Sequence, residues 1–225
     1  MKITAIPINH LLGVCFIFLL GCPMGLEAQQ VFVVDESIEN KHQKIGQYFT
    51  IWKDSTRQVG LETVSQAAFQ KNFQKPKSLT LGRQTDIIWI KLQVYNPQKV
   101  PLRIAFQNVF LDSLILYQPW ATNAKQSVVL NGDAVVFHRR LAKEVLPSFD
   151  LIPHPKQDTT TYYFQIKSIS RVQISAQVGT IDSLRNYYYS KYILEAMIYG
   201  ALLTIILYNL FIYLIHSSRR HAVCI

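Results

Sequence analysis

Between Tyr192 and Ile215 the chain runs for 24 residues with a single charge, Glu195. A helix needs about 20 apolar residues to cross the hydrocarbon core of a bilayer. The flanks of the run fit the same reading. Tyr187, Tyr188, Tyr189 and Tyr192 gather at its start, as amphipathic rings do at a lipid–water boundary. His216–His221 closes it, and the pair Arg219-Arg220 marks that side as cytoplasmic under the positive-inside rule. The chain is therefore expected to put residues 192–215 through a membrane, with a short cytoplasmic tail at 216–225.

Glu195 and Asn209 interrupt the run. Glu195 lies about one turn in and can reach back to the interface. Asn209 lies deeper, where lipid offers no hydrogen-bond partner, so other transmembrane helices or a second copy of the chain are expected beside it. The sequence ends ten residues after the run, at Ile225. It is expected to be a truncated part of a longer protein.

The other end reads as a leader. Lys2 gives a short basic start, Leu11–Leu20 is an apolar stretch too short to span, and Gly21, Pro23 and Gly25 break it. Leu26-Glu27-Ala28 then serves as a cleavage site, making residues 1–28 a signal peptide. Leu19-Leu20-Gly21-Cys22 competes as a lipobox that would lipidate Cys22. Cleavage after Ala28 is preferred, because Leu20 stands where a small residue is more usual. The leader and the basic tail together place the main domain outside the cytoplasm, anchored in a bacterial inner membrane.

Gln30 to Ser190 leaves about 160 residues, enough for one domain with its own core. None of Cys15, Cys22 and Cys224 falls in it, which excludes a disulfide framework and a cysteine metal site there. This segment holds 19 Lys/Arg against 12 Asp/Glu. The cations are scattered singly and form no stripe, so a nucleic-acid partner is not expected.

Within residues 30–184 the residue pattern is that of short strands. Val31–Val34 and Gly46–Trp52 come first, followed by a polar turn at Lys53–Thr56 and one helical candidate, Leu61–Phe69. Ile87–Tyr95 is the clearest strand, alternating Ile90, Leu92 and Val94 against Lys91, Gln93 and Tyr95. Asn96–Lys99 turns it, and Val100–Phe106 is expected to return as a hairpin. Leu111–Tyr117 follows. Asn131-Gly132, between Ser127–Leu130 and Ala134–Phe137, carries the dipeptide of a second hairpin. Phe149–Ile152, Thr160–Ile166 and Val172–Val178 complete the set. Many short strands with almost no helix predict an all-β fold, a β-sandwich followed by one transmembrane α-helix. A short connector, Asp182–Lys191, joins the two.

No P-loop, dinucleotide fingerprint, serine elbow or zinc-protease motif is present, and the three histidines of the domain are not at metal-ligand spacing. No catalytic residue, metal or cofactor is therefore assigned. Asp112 and Asp133 are a pair of acids of the kind glycosidases use, but acids in β domains are mostly turn or cap residues. What remains are groups suited to binding. Tyr117-Gln118-Pro119-Trp120 ends a strand at a loop, where Trp120 either stacks on a sugar ring or covers the edge of the core. Arg139-Arg140 follows another strand and either forks onto a carboxylate or sugar hydroxyls or is simply solvated. The candidate ligand residues are Trp120, Arg139, Arg140, Tyr117 and Asp112.

The order of landmarks resembles a known family. Phe49–Asp54 is followed by Phe69 with Leu79-Thr80-Leu81-Gly82, then Trp89–Asn96, Leu111–Tyr117, Gly132-Asp133 with Arg139-Arg140, and Thr160–Ser168. Over Phe49 to Val178 this is similar to the type-two extracellular domain of bacterial seven-transmembrane receptors with diverse intracellular signalling modules. Tyr199–Leu203 with Leu207–Phe211 resembles the first helix of their membrane region. The resemblance implies a jelly-roll sensor like a carbohydrate-binding module, six further helices, and a kinase, cyclase or DNA-binding output. Trp89, Asn96 and Asp112 match family landmarks, and no agreed binding residues carry over.

Two functions follow. One is a receptor's sensor domain that binds a small extracellular ligand, with carbohydrate as the candidate class, and passes the change to the membrane helix. The other is an exported, membrane-tethered β-sandwich enzyme or adhesin. The missing catalytic motifs and the polar Asn209 favour the first. A reporter fused after Ser190 is predicted to be active only outside the cytoplasm; activity confined to the cytoplasm would reverse the topology.

Overall fold

The structure, a computed structural model, describes residues 30–222, with side chains described as far as Ile215. The leader and the choice between Cys22 and Ala28 lie outside the described residues, as do the side chains of Arg219-Arg220. Among the described residues twelve strands are formed: β1 (Phe32–Val33), β2 (Gln43–Lys44), β3 (Thr50–Asp54), β4 (Thr80–Arg83), β5 (Ile87–Tyr95), β6 (Leu102–Phe106), β7 (Ser113–Tyr117), β8 (Val128–Asn131), β9 (Ser148–Leu151), β10 (Thr159–Lys167), β11 (Arg171–Gln173) and β12 (Ala176–Gly179). One long helix, Ile181–Ala222, ends the described chain.

The larger sheet runs β8-β7-β10-β5. Its far edge is shared: β3 pairs antiparallel with Ile87–Lys91, and β1 pairs parallel with Val94 and Tyr95. The smaller sheet runs β2-β12-β6-β9, and β4 with β11 forms a two-stranded ribbon. The two sheets enclose one apolar cluster. Ile88, Ile90, Leu92, Leu114, Leu116 and Phe164 come from the larger sheet, and Ile104, Phe106, Phe149, Leu151 and Val178 from the smaller. Phe164 meets Phe106 at 5.4 Å and Phe149 at 5.8 Å, both edge to face, the arrangement the ring quadrupoles favour.

β5 occupies its expected bounds, and its alternation holds. Its second face is not left to water, however. Ile87 and Trp89 are buried there with Val64, Phe73 and Tyr163, walled by Trp52, Leu61, Phe69 and Tyr117. The segment from Val59 to Phe73 supplies this cover. The single helix expected over Leu61–Phe69 is broken into a turn of α-helix, Leu61–Val64, and a 3-10 stretch, Ala67–Asn72. The Gln70 amide donates to the carbonyls of Val64 and Gln66 at 2.8 and 3.2 Å, satisfying the acceptors that the break exposes. Lys91 is drawn into this layer. Its ammonium donates to Gln70 Oε1 at 2.9 Å and lies 5.5 Å from the Phe73 ring centroid. Burial pushes its pKa down.

Three local expectations are overturned. β6 does not return beside β5; it crosses to the smaller sheet, between β12 and β9. Buried Asn96 builds the crossing, its amide donating to Val100 O at 2.8 Å and its carbonyl accepting from Val100 N at 3.0 Å. Its own backbone N–H is held by Asp158 O. Nor does Asn131-Gly132 make a hairpin. Buried Asn131 donates to Ser148 O at 3.1 Å, and the N–H groups of Asp133 and Ala134 bond to the carbonyls of Leu111 and Asp112. Gly132, at φ 124°, passes so close to that backbone that a Cβ would lie 2.6 Å from Asp112 O, so Ala134–Phe137 leaves the sheet. Finally, Val172–Val178 is two strands, β11 and β12, in different sheets. The Gly46–Trp52 strand starts late, at Thr50, after a 3-10 turn over Gly46–Tyr48. The Lys53–Thr56 turn is organised by Asp54, whose carboxylate accepts from the N–H groups of Thr56, Arg57 and Val59.

The expected connector does not exist as a separate piece. One residue, Thr180, separates β12 from the helix. Its Oγ1 accepts from Ser183 N at 3.2 Å and its carbonyl from Leu184 N at 3.1 Å, an N-cap, with Asp182 set favourably in the first turn. The helix is long and apolar enough over Ile181–Ile215 to cross a membrane, and its most apolar window is not buried in the protein.

Trp89 is fully buried, stacked at 5.5 Å on Tyr117. Trp89→Ala is predicted to cost about 3–5 kcal/mol, the range for large aromatic deletions in cores. Denaturation of the full chain in detergent checks it; unchanged stability would place the ring outside the core's energetics.

Candidate functional site

Trp120 is positioned by a turn that leaves β7. The Ala121 N–H bonds to Gln118 O at 3.0 Å, and Gln118 itself is buried. The Gln118 amide donates to Gln126 O and Asp150 O, and its carbonyl accepts from Ile152 N at 3.1 Å. One side chain thus ties the Trp120 turn to the end of β9. The Trp120 indole N–H donates to Ile152 O at 2.7 Å, and the same carbonyl accepts from the Tyr162 hydroxyl at 2.9 Å. The ring sits edge-on to Tyr162 at 5.5 Å and beside His154 at 5.8 Å. With its orientation fixed and its side chain half-buried, Trp120 lines a cleft of about 310 Å³ with Pro119, His154, Thr160, Thr161 and Tyr163. Burial pushes the Tyr163 hydroxyl pKa up, a bond to Gln70 opposing it. The ring therefore covers the core edge and borders a cleft at once.

The other sequence candidates lie elsewhere. Tyr117 is stacked on Trp89 and donates to Gln165 at 3.3 Å, with its pKa raised by burial. Asp112 accepts from Ser168 Oγ at 3.0 Å and Ile169 N at 2.7 Å, holding the turn between β10 and β11. Arg140 donates to Val135 O at 3.1 Å, its guanidinium 5.7 Å from the Phe137 ring centroid. Arg139 lines a separate cleft with Lys125, Val128, Leu130 and Leu141. The structure brings neither arginine into the Trp120 cleft. His154, Thr161 and Tyr163, which are there, were not singled out in the sequence; Pro153 and Pro155 around His154 are the one local signal of a fixed loop.

Two further clefts frame the choice. One of about 590 Å³ is lined by Arg57, Arg83, Asp86, Lys167 and Ile169, with no aromatic ring. The other, of about 530 Å³, lies between the helix and the loop before β9, lined by Leu141–Leu146, Arg185, Tyr188, Tyr189 and Tyr192. Arg103 anchors its wall, bonding Asp150 at 2.6 Å and also Glu144. Burial opposes the Arg103 charge, but the two carboxylates outweigh it and raise its pKa. Across from them the helix is docked: Leu184 and Ser183 are buried, and the Tyr188 hydroxyl bonds Gln177 of β12 at 2.9 Å. Tyr187 lies against His42, ring centroids 4.0 Å apart. Among the described residues no group of three His, Cys, Asp or Glu side chains is placed to hold a metal ion.

A family model described as 7TMR-DISM extracellular 2 matches residues 46–180. The match begins at the turn before β3 and ends at Thr180, the residue that caps the helix. A search of curated proteins finds no match.

Proposed function

The chain belongs to the 7TMR-DISM extracellular 2 family, and on that premise we propose that it is the sensor end of a bacterial signalling receptor in the inner membrane, taking a small extracellular ligand of carbohydrate type. The family is one of receptor extracellular domains, not of enzymes. The observation that carries the proposal is the docked helix. β12 passes into it through one residue, and its first two turns rest on the outer side of the smaller sheet. A shift of the sandwich on ligand binding then displaces a continuous rod that leads into the membrane.

The ligand surface is proposed at Trp120. A fixed indole with hydroxyls of Thr161 and Tyr163 beside it suits the apolar and polar faces of a sugar ring. The two-sheet architecture supports a jelly roll of the carbohydrate-binding-module kind. Asn209 donates to Ile205 O of its own helix at 2.8 Å; a side-chain amide has a second donor and an acceptor besides. These suit a neighbouring helix, either one of a longer receptor or that of a second copy.

The test is binding of the full chain in nanodiscs to a glycan panel. Trp120→Ala is expected to weaken binding by about fivefold to 150-fold, taking the ~1–3 kcal/mol that a base stacked on an aromatic side chain loses as the scale of a lost stacking contact. Arg83→Ala, in the cleft without aromatics, should leave it unchanged. Binding that survives Trp120→Ala would refute this site, and a panel with no binder would refute the ligand class.

A further inference from the structure

The loop between β8 and β9 carries a surface with no role in the ligand cleft. Val136, Phe137, Leu141 and Val145 are 55%, 51%, 50% and 62% exposed. Four large apolar side chains left to water within ten residues mark a surface with a partner. Interleaved with them are His138, Arg139, Arg140 and Lys143. Glu144, the one acid between Val136 and Leu146, is bonded to Arg103. Among the described residues no carboxylate pairs with Arg139, Arg140 or Lys143.

The position of the loop identifies the partner. Leu141–Leu146 lines one cleft together with Tyr188, Tyr189 and Tyr192 of the helix. Tyr192 opens the apolar run that crosses the bilayer, so side chains in contact with that cleft stand level with the lipid headgroups. Aromatic and apolar groups are stabilised there, and neighbouring cations are attracted by anionic lipid. We propose that residues 136–146 form a membrane-contact loop, with Phe137, Leu141 and Val145 entering the headgroup layer and Arg139, Arg140 and Lys143 binding anionic headgroups.

The loop is tied to the sandwich through Arg103, which joins Glu144 to Asp150 of β9. The domain therefore stands on the bilayer at two points, its helix and this loop, and tilting it about the helix has to lift the loop from the lipid. This rests on residues 192–215 spanning the membrane, and is independent of what binds at Trp120.

The experiment uses the full chain with its three native cysteines changed to Ser. A single cysteine replaces Phe137, Val145 or Ile169, the last an exposed apolar residue whose cleft contains no helix residue. Each carries an environment-sensitive fluorophore, and the protein is placed in phosphatidylcholine vesicles with or without phosphatidylglycerol and a headgroup-region spin-labelled lipid. Probes at 137 and 145 are expected to be quenched and the probe at 169 not. Phosphatidylglycerol should strengthen the quenching, and Arg139→Glu with Arg140→Glu and Lys143→Glu should abolish that strengthening. Probes at 137 and 145 quenched no more than 169 would overturn the proposal. So would quenching indifferent to phosphatidylglycerol and to charge reversal. A blue shift that vanishes in nanodiscs holding one copy would assign the loop to a dimer instead.

Discussion

A strand apolar on both faces has to be covered twice, and the architecture of this domain follows from how β5 is covered. On one side the smaller sheet closes over Ile88, Ile90 and Leu92. On the other, Ile87 and Trp89 are sealed by the folded segment that carries Val64, Phe69 and Phe73. Burying apolar area is the main favourable term in folding, and here it builds two packed layers against one strand without a disulfide. The same arrangement accounts for the buried Lys91: the strand's alternation puts it on the second face, and the cover that Trp89 requires takes the lysine with it, stem packed and ammonium held by Gln70.

The smaller sheet has a different task. Its inner side completes the core, while its outer side presents Gln177 and Arg103 to the helix and the loop before β9. Thr180 starts the helix without slack, and Leu184, Tyr187 and Tyr188 fix its direction against β12 and His42. A flexible linker would let domain and membrane segment move apart; a capped, docked helix makes them one lever. Trp120 hangs from the end of β9 through Ile152 and Gln118, and β9 bonds to β6 beside β12. The cleft and the lever thus share the smaller sheet as a physical connection.

What could be read from the sequence follows the range of the interactions involved. The apolar run, the alternation of β5 and the all-β character are set by residues near one another in the chain, and the structure keeps them. Asn96 and Asn131-Gly132 look like turn residues and are, but their partners are Asp158, Leu111 and Ser148, so the turns lead out of a sheet where a local reading has them fold back. The helix start at Thr180 was hidden because its first turns are polar and tyrosine-rich, with Ser183, Leu184 and Tyr188 turned to the sheet. Trp120 was recognisable as a ring at a strand end. Its neighbours His154, Thr161 and Tyr163 come from beyond β9, and nothing in the local sequence joins them to it.

The central claim is that sandwich and membrane helix move as one body. Distance distributions between spin labels at Lys77 and Ala196, measured by pulsed electron resonance on the full chain in nanodiscs, test it directly. A single narrow distribution that broadens when Leu184 and Tyr188 are both changed to Ala is the predicted result. A broad distribution in the unaltered chain would contradict it.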